Sequence, residues 1–356
     1  MDSRPALVGM SRLELAELFP GDPLAAVRAR QVADWVYKKG AESISEMTDI
    51  PAADRRRLEE SHVVDDLRIV RERRSSDGVV KLLVDIGDAQ AFECVLLPFD
   101  DRVSCCISTQ VGCAMGCEFC ATGLSGFDRN LTPGEIAAQY LLLQRFSERR
   151  ISHVVYMGMG EPLHNYDSVV KSLHLLNEEV GLSYRHLTVS TVGLVPQIDR
   201  LAKERLPIHL AISLHSPLDE VRGPLMPINK RWPVRELMDA CRRYAKATGR
   251  KITFEYLLID HVTDRLGQAE ALAKLVVGLP CLVNLIPFNY VDTRLGLKRP
   301  SNNRVRAFKQ ALENRGVNVS QRMERGQDIA AACGQLRGEH EGRIRRRGLS
   351  ELPLSR

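Results

Sequence analysis

The sequence predicts an α/β protein organised around a parallel sheet, and three observations lead there. Strand-like runs recur at 103–108, 153–157, 187–191, 208–215, 252–259 and 282–288, with helical patterns between them. Alternating strand–helix units build parallel sheets. The helix after the first run opens on Thr132-Pro-Gly-Glu135, which supplies a cap, a proline at the first helical position and a glutamate three residues after the cap. Its Ile136, Tyr140 and Leu143 keep the helical period. Finally, cysteines, glycines and small polar residues gather just after the strand runs, the edge where barrels of this class place their active sites.

The remaining elements fall in order around that core. Residues 1–64 read as a helical accessory domain, with helices at 11–18, 24–38 and 52–60. Its 9 basic residues face 11 acidic ones, so only Lys38-Lys39 and Arg55-Arg56-Arg57 form local basic patches. Residues 65–98 read as a small β-extension, in which runs at 67–72 and 79–85 flank the turn signal Ser75-Ser-Asp-Gly78. A third run, 91–97, ends at Pro98 and carries Glu93. Residues 99–335 form the core, and 336–356 a basic tail with six arginines against three glutamates, read as a solvated terminus.

Composition narrows the class. A chain of 356 residues fits one barrel-sized domain with an accessory domain. No apolar run approaches the roughly 18 residues of a membrane span, and the N-terminus lacks a signal-peptide pattern. Nine unevenly spaced cysteines do not suggest a secreted disulfide framework, so a reducing cytoplasmic setting is expected. The net charge of +5 mildly favours an anionic partner such as nucleic acid.

The most informative stretch is Cys113-Ala-Met-Gly-Cys117-Glu-Phe-Cys120, three thiols in one short loop. Thiolates are soft ligands that suit zinc, copper(I) or iron–sulfur clusters. A structural zinc site wants four ligands, and no second cysteine pair follows within a loop's reach. Iron–sulfur cubanes normally take four cysteines, so three leave one iron open for chemistry. This spacing resembles the signature of the radical S-adenosylmethionine (SAM) superfamily, whose 4Fe-4S cluster holds SAM on that open iron. Three inert core thiols would be a strange use of such dense spacing.

Other candidates fall on the same edge. Gly158-Met-Gly-Glu161-Pro162 follows the second strand run, offering close backbone approach and a carboxylate for SAM's ammonium group. Ser190 lies near the end of the third run, Ser213 and His215 share one face of the fourth, and Asn289 follows the sixth. Glu93 lies inside an apolar run, where a carboxylate needs a partner or a raised pKa; a salt bridge is the default. Cys105 and Cys106 point to opposite faces of the first strand. On pattern alone Cys106 and Cys333 read as structural, and Cys94, Cys241 and Cys281 as inert buried thiols.

Several separate blocks alter those odds: Arg28-Ala-Arg-Gln-Val-Ala-Asp-Trp-Val-Tyr-Lys-Lys39, Cys106-Ile-Ser-Thr-Gln-Val-Gly-Cys113, Ser213-Leu-His215, Asn284-Leu-Ile-Pro-Phe-Asn289 and Asp328-Ile-Ala-Ala-Ala-Cys-Gly-Gln335. With the cysteine loop and 158–162, they make the chain resemble the RlmN/Cfr family of radical SAM RNA adenine methyltransferases over nearly its whole length. The resemblance implies a partial (β/α)6 TIM-like radical SAM barrel. It implies that Cys113, Cys117 and Cys120 hold one 4Fe-4S cluster per chain. It further implies SAM contacts from Gly160, Glu161, Ser190, Ser213, Leu214, His215 and Asn289. Cys333 is then the cysteine that becomes S-methylated, Cys106 its resolving partner through a disulfide, and Glu93 the proton acceptor.

The implied chemistry consumes two SAM molecules per methylation. One methylates Cys333; the other, cleaved reductively, yields a radical that activates that methyl group toward an electron-poor ring carbon. A protein–RNA thioether results, which Glu93 and Cys106 resolve. RlmN-type members modify carbon 2 of an adenosine in the peptidyl-transferase region of 23S rRNA, and some also the adenosine beside the tRNA anticodon. Cfr-type members modify carbon 8. Arg322-Met-Glu-Arg-Gly326 and the N-terminal segment resemble the RlmN pattern. An electron donor such as flavodoxin is implied, and no membrane. A glycyl-radical activase would share the cluster and SAM loops without needing Cys106 and Cys333, and a metal-stabilised RNA-binding module would need four closed ligands.

Overall fold

The computed structural model describes residues 4–87 and 90–337, so all but the first two residues of the expected basic tail lie outside the described residues. The accessory domain holds α1 (Arg12–Ala16), α2 (Ala25–Ala33) and α3 (Ala52–Ser61). Ser11 starts α1 with a capping box, its own N–H donating to the Glu14 carboxylate at 2.8 Å. The α2 helix continues as a π-helical turn over Asp34–Lys39 until Gly40, at φ 67°, ends it. The Leu7 N–H donates to the Val63 carbonyl (2.8 Å) and Arg12 pairs with core residue Glu179 at 2.8 Å, tying the domain's ends together and to the core.

The β-extension forms β1 (Arg68–Arg74), β2 (Val80–Asp85) and β3 (Ala91–Pro98). The core follows with β4 (Val103–Cys106), β5 (Gln110–Gly112), α4 (Ala121–Ser125), β6 (Phe127–Asn130), α5 (Pro133–Gln144), β7 (His153–Tyr156), α6 (Tyr166–His174), β8 (Leu187–Thr191) and α7 (Val195–Glu204). It ends with β9 (His209–Ser213), α8 (Asp219–Leu225), α9 (Val234–Thr248), β10 (Ile252–Leu258), α10 (Leu266–Leu275), β11 (Cys281–Pro287), α11 (Asn302–Glu313) and β12 (Val319–Gln321). The expected capping box opens α5: the Glu135 N–H donates to Thr132 Oγ1 (3.2 Å) and the Thr132 N–H to the Glu135 carboxylate (2.7 Å). No described helix is long and apolar enough to cross a membrane.

One sheet unites ten strands in the order β1-β2-β3-β4-β7-β8-β9-β10-β11-β12. Strands β1 to β4 pair antiparallel, and every pairing from β4 onward is parallel. All six expected parallel strands form. A seventh, β12, escaped the sequence because three residues, Val-Ser-Gln, carry no periodicity. The β-extension joins the core sheet through β3 and β4. The outermost strands β1 and β12 do not pair with each other, so the barrel stays open.

Register decides which side chains meet, since residues opposite one another share a face. Arg73 lies opposite Lys81, Lys81 opposite Val95, Val95 opposite Cys106 and Cys106 opposite Val155. Further along, Ser190 pairs with Ala211, Ser213 with Glu255 and Glu255 with Asn284. The inner face therefore runs continuously from the arginines of β1 to the polar ends of β8–β11. The opposite face carries Val154, Val189, Leu210, Ile212, Phe254 and Leu285, all fully buried in one core with helical residues such as Ile136, Ile198 and Leu237.

Candidate active site

The C-terminal ends of the inner-face strands surround a cavity of about 1010 Å³. Cys113, Cys117 and Cys120 line it together. Burial pushes all three thiols up. Ligation needs thiolates, so binding a metal group there releases protons. Among the described residues no three His, Cys, Asp or Glu side chains converge to hold a metal ion. A cubane takes its cysteines on different irons and holds them farther apart than one ion would, so the three-thiol wall fits that group. Among the described residues the only histidine lining the cavity, His215, already accepts the Leu257 N–H at its Nδ1 (3.1 Å).

Gly158 and Gly160 serve packing as much as ligand approach. A Cβ at Gly158 would stand 2.6 Å from Ser108 Oγ, and one at Gly160, φ +100°, 2.6 Å from Gln110 Cβ. The loop after β7 thus lies directly on the loop after β4, and only glycine permits it. Glu161, at the end of that loop, is buried; its Oε1 accepts the Leu163 N–H (3.0 Å) and its Oε2 the Val192 N–H (2.9 Å). Burial pushes its carboxyl up to about 7 against those hydrogen bonds and one from Thr191. A carboxylate has about four acceptor positions, so capacity remains for a cationic ligand.

Strand β9 stops at Ser213, short of the expected residue 215. The Leu214 and His215 N–H groups both donate to the Glu255 carbonyl (3.1 and 3.3 Å), and His215 turns to φ 59°. Ser213 and His215 still line the cavity, with Ser190 and Asn289. Burial, then the Arg222 charge, lowers His215 to about 3, so the ring is neutral with its proton on Nε2. Leu214 does not line the cavity; its side chain is fully buried in the core.

Cys106 and Cys333 share an adjoining groove of about 620 Å³. Cys333 is exposed and also lines the main cavity, while Cys105 is sealed on the opposite face. The Cys333 segment is fastened on both sides. The Lys81 ammonium donates to the Ala330 carbonyl (3.0 Å), the Ala121 N–H to the Gly334 carbonyl (2.7 Å) and the Thr122 hydroxyl to the Leu336 carbonyl (2.6 Å). Asp77, in the β1–β2 turn, accepts the Gly326 N–H (3.0 Å).

Glu93 lies on the same sheet face as Cys106 but lines a separate groove. Its expected salt bridge is to Lys81, 2.9 Å away, and it accepts the Arg337 N–H at 2.8 Å. Cys94, Cys105 and Cys241 are buried, whereas Cys281 is half-buried.

Sequence reasoning missed three side chains. Lys81 is the lone charge inside the apolar run of β2, diagonal to the lone charge of β3, which was the available signal. Arg322 lines the cavity and the cysteine groove beside Cys333 and lies 3.8 Å from Met157 Sδ. Arg222 is fully buried, its guanidinium donating to the carbonyls of Leu214 (3.0 Å), Val192 (2.7 Å) and Ser213 (3.2 Å). It clamps the ends of β8 and β9, and nothing local in the sequence announces it.

Comparisons with known proteins agree with this geometry. Residues 6–64 match the Ribosomal RNA large subunit methyltransferase N-terminal domain, and residues 107–273 the Radical SAM superfamily. The chain is 49% identical over 327 residues to a probable dual-specificity RNA methyltransferase RlmN of Pelotomaculum thermopropionicum, covering 91% of this chain and 89% of that protein. It is 43% identical over 340 residues to the corresponding protein of Geobacillus thermodenitrificans, covering 94% and 93%. A crystal structure of a radical SAM methyltransferase from Sphaerobacter thermophilus superposes with a TM-score of 0.90 at 45% identity, over 94% of this chain and all of that one.

Proposed function

The chain belongs to the RlmN family of radical SAM RNA methyltransferases, and from that membership we propose that it methylates carbon 2 of an adenosine in the peptidyl-transferase region of 23S rRNA, and the adenosine beside the tRNA anticodon. The observation that carries the proposal is the gathering of two further cysteines, Cys106 and Cys333, beside the three-cysteine cavity. An activase that only generates radicals has no use for them.

Cys113, Cys117 and Cys120 hold the cluster in this reading, one per chain. When bound, the cluster supplies the electron, drawn from a donor such as flavodoxin, that cleaves SAM to a hydrogen-abstracting radical. Glu161 accepts from SAM's ammonium group, and the Nε2–H of His215 and the polar groups of Ser190, Ser213 and Asn289 orient the rest; Gly160 and Leu214 shape the backbone around it. Cys333 takes its methyl from a first SAM and presents that methyl carbon to the base. After the methylene carbon adds to the ring, Glu93 accepts the ring proton while the unpaired electron returns to the oxidised electron-transfer couple, leaving a closed-shell thioether. Cys106 then attacks the Cys333 sulfur: an S–S bond forms, the S–CH2 bond breaks, and the carbon takes a proton to become methyl.

The test is anaerobic turnover with dithionite, SAM and protein-free 23S rRNA or tRNA. Release of both S-adenosylhomocysteine and 5′-deoxyadenosine, with 2-methyladenosine in the RNA, is the expected result. Release of 5′-deoxyadenosine alone overturns the methyltransferase assignment, and 8-methyladenosine overturns the choice of carbon.

Glu93→Gln should load methyl on Cys333 normally and then accumulate protein–RNA adduct. It also strands the buried Lys81 charge, and breaking such a pair costs roughly 3–5 kcal/mol. A melting shift alone is therefore uninformative. The double variant Glu93→Gln/Lys81→Met removes the stranded charge and should still accumulate adduct. If it turns over, Glu93 is structural.

Resolution should also depend on pH. In the free protein burial pushes the Cys106 thiol up to about 12, the Cys333 sulfur adding to the rise and the Arg322 guanidinium opposing it; in the adduct Cys333 is an uncharged thioether, and burial remains as the cause that raises Cys106. The thiolate is the nucleophile, so its fraction grows about tenfold per pH unit below that value. Breakdown of a trapped adduct, followed by quenched gel assay, should accelerate accordingly toward alkaline pH. Arg322→Gln should slow it at every pH.

A further inference from the structure

The inner sheet face does not end at the cysteines. Three strands outward from Cys106, about 14 Å at the usual strand spacing, it reaches a groove of about 490 Å³ whose walls include Arg71, Arg73, Lys81 and Arg337. Glu93 is the only acid among the described residues lining it. Lys81 is engaged with Glu93 and the Ala330 carbonyl, and Arg73 is exposed.

The arginines reach this face through a defined irregularity. Ile69 pairs with Val84, but Arg71 pairs with Leu83, so Val70 is an extra residue in β1. Without that bulge Val70 and Glu72 would occupy the face of Lys81 and Glu93, and Arg71 and Arg73 the reverse. The bulge inverts the alternation and brings two arginines, two strand residues apart, to the side of Glu93 and Cys106. A charged edge strand by itself discourages sheet-to-sheet aggregation. That need would be met by arginines on either face and does not account for the bulge.

We propose that Arg71 and Arg73 form a phosphate-binding strip that holds the RNA backbone beside the target adenosine, directing the base past Glu93 toward Cys106 and Cys333. The occupant is a polyanion because the strip is cationic and continuous with the reacting face. The proposal rests on the RNA methyltransferase reading above. It places RNA binding on the β-extension in addition to the accessory domain, whose 11 acids outnumber its 9 bases.

Two variants of the full-length, cluster-loaded protein test it. Arg73→Gln removes one charge from the inner face, and Arg74→Gln, opposite Val80, removes the same charge from the other face of β1. Cluster absorbance and melting curves verify folding. Binding to protein-free 23S rRNA is measured across a salt series. The first variant should bind more weakly, with the slope of log affinity against log salt reduced by about 1 for each arginine that meets a phosphate. The second should match wild type. Equal losses in both variants, or none in the first, overturn the strip while leaving the methyltransferase reading intact. A wild-type protein that fails to methylate RNA overturns both.

Discussion

Alanine at Cys113, Cys117 or Cys120 is expected to give a colourless protein that no longer cleaves SAM. In the proposed reading each thiol is one of only three anchors, and the one further cysteine lining the cavity among the described residues, Cys333, is that reading's methyl acceptor. Loss of one anchor from a cubane held by three leaves two, which does not retain it. The measurements are iron content, absorbance and 5′-deoxyadenosine release after anaerobic reconstitution. The fold should persist, because Cys113 and Cys120 are only partly buried and the sheet does not run through the loop. A single variant with a normal cluster and normal SAM cleavage would remove that cysteine from the ligand set.

The second large effect separates the two outer thiols. Cys106→Ala should load methyl on Cys333, form the adduct and stop, so that the protein purifies with covalently bound RNA. Cys333→Ala should carry neither methyl nor RNA. The outcomes differ qualitatively because, in the proposed sequence, the two sulfurs act at opposite ends, one accepting the methyl group and the other releasing the product. Mass spectrometry of nuclease-treated protein distinguishes them. Normal turnover by Cys106→Ala would return Cys106 to the role of a packed core thiol, which its burial alone also fits.

Much of this was legible from residue order. The six parallel strands announce themselves by apolar runs between capped helices, and the cysteine loop by spacing that no packing requirement explains. What order could not convey was pairing at a distance. Cys106 and Cys333 are separated by more than half the chain, and their shared groove exists because β4 sits inside a sheet whose last segment folds back over it. The partner of Glu93 was likewise hidden. Lys81 is diagonal to it across β2 and β3, a relation fixed by hairpin register. Strand ends were the weakest readings: β9 halts at Ser213 because two successive N–H groups turn to one carbonyl, a choice the alternation of residues 208–215 gives no hint of.

The fastening of the Cys333 segment bears on the chemistry in a different way. Hydrogen bonds hold the carbonyls of Ala330 and Gly334, leaving only three residues between the fixed points. Such a tether limits the travel of the sulfur to about the reach of its own side chain. A reaction partner confined this closely behaves as though present at very high effective molarity, since the orientational entropy of bringing two groups together has been spent in folding. The disulfide-forming step of the proposed sequence would thereby be intramolecular in the strict sense. A thiol diffusing in from solution would have to compete with Cys106, a neighbour that never leaves.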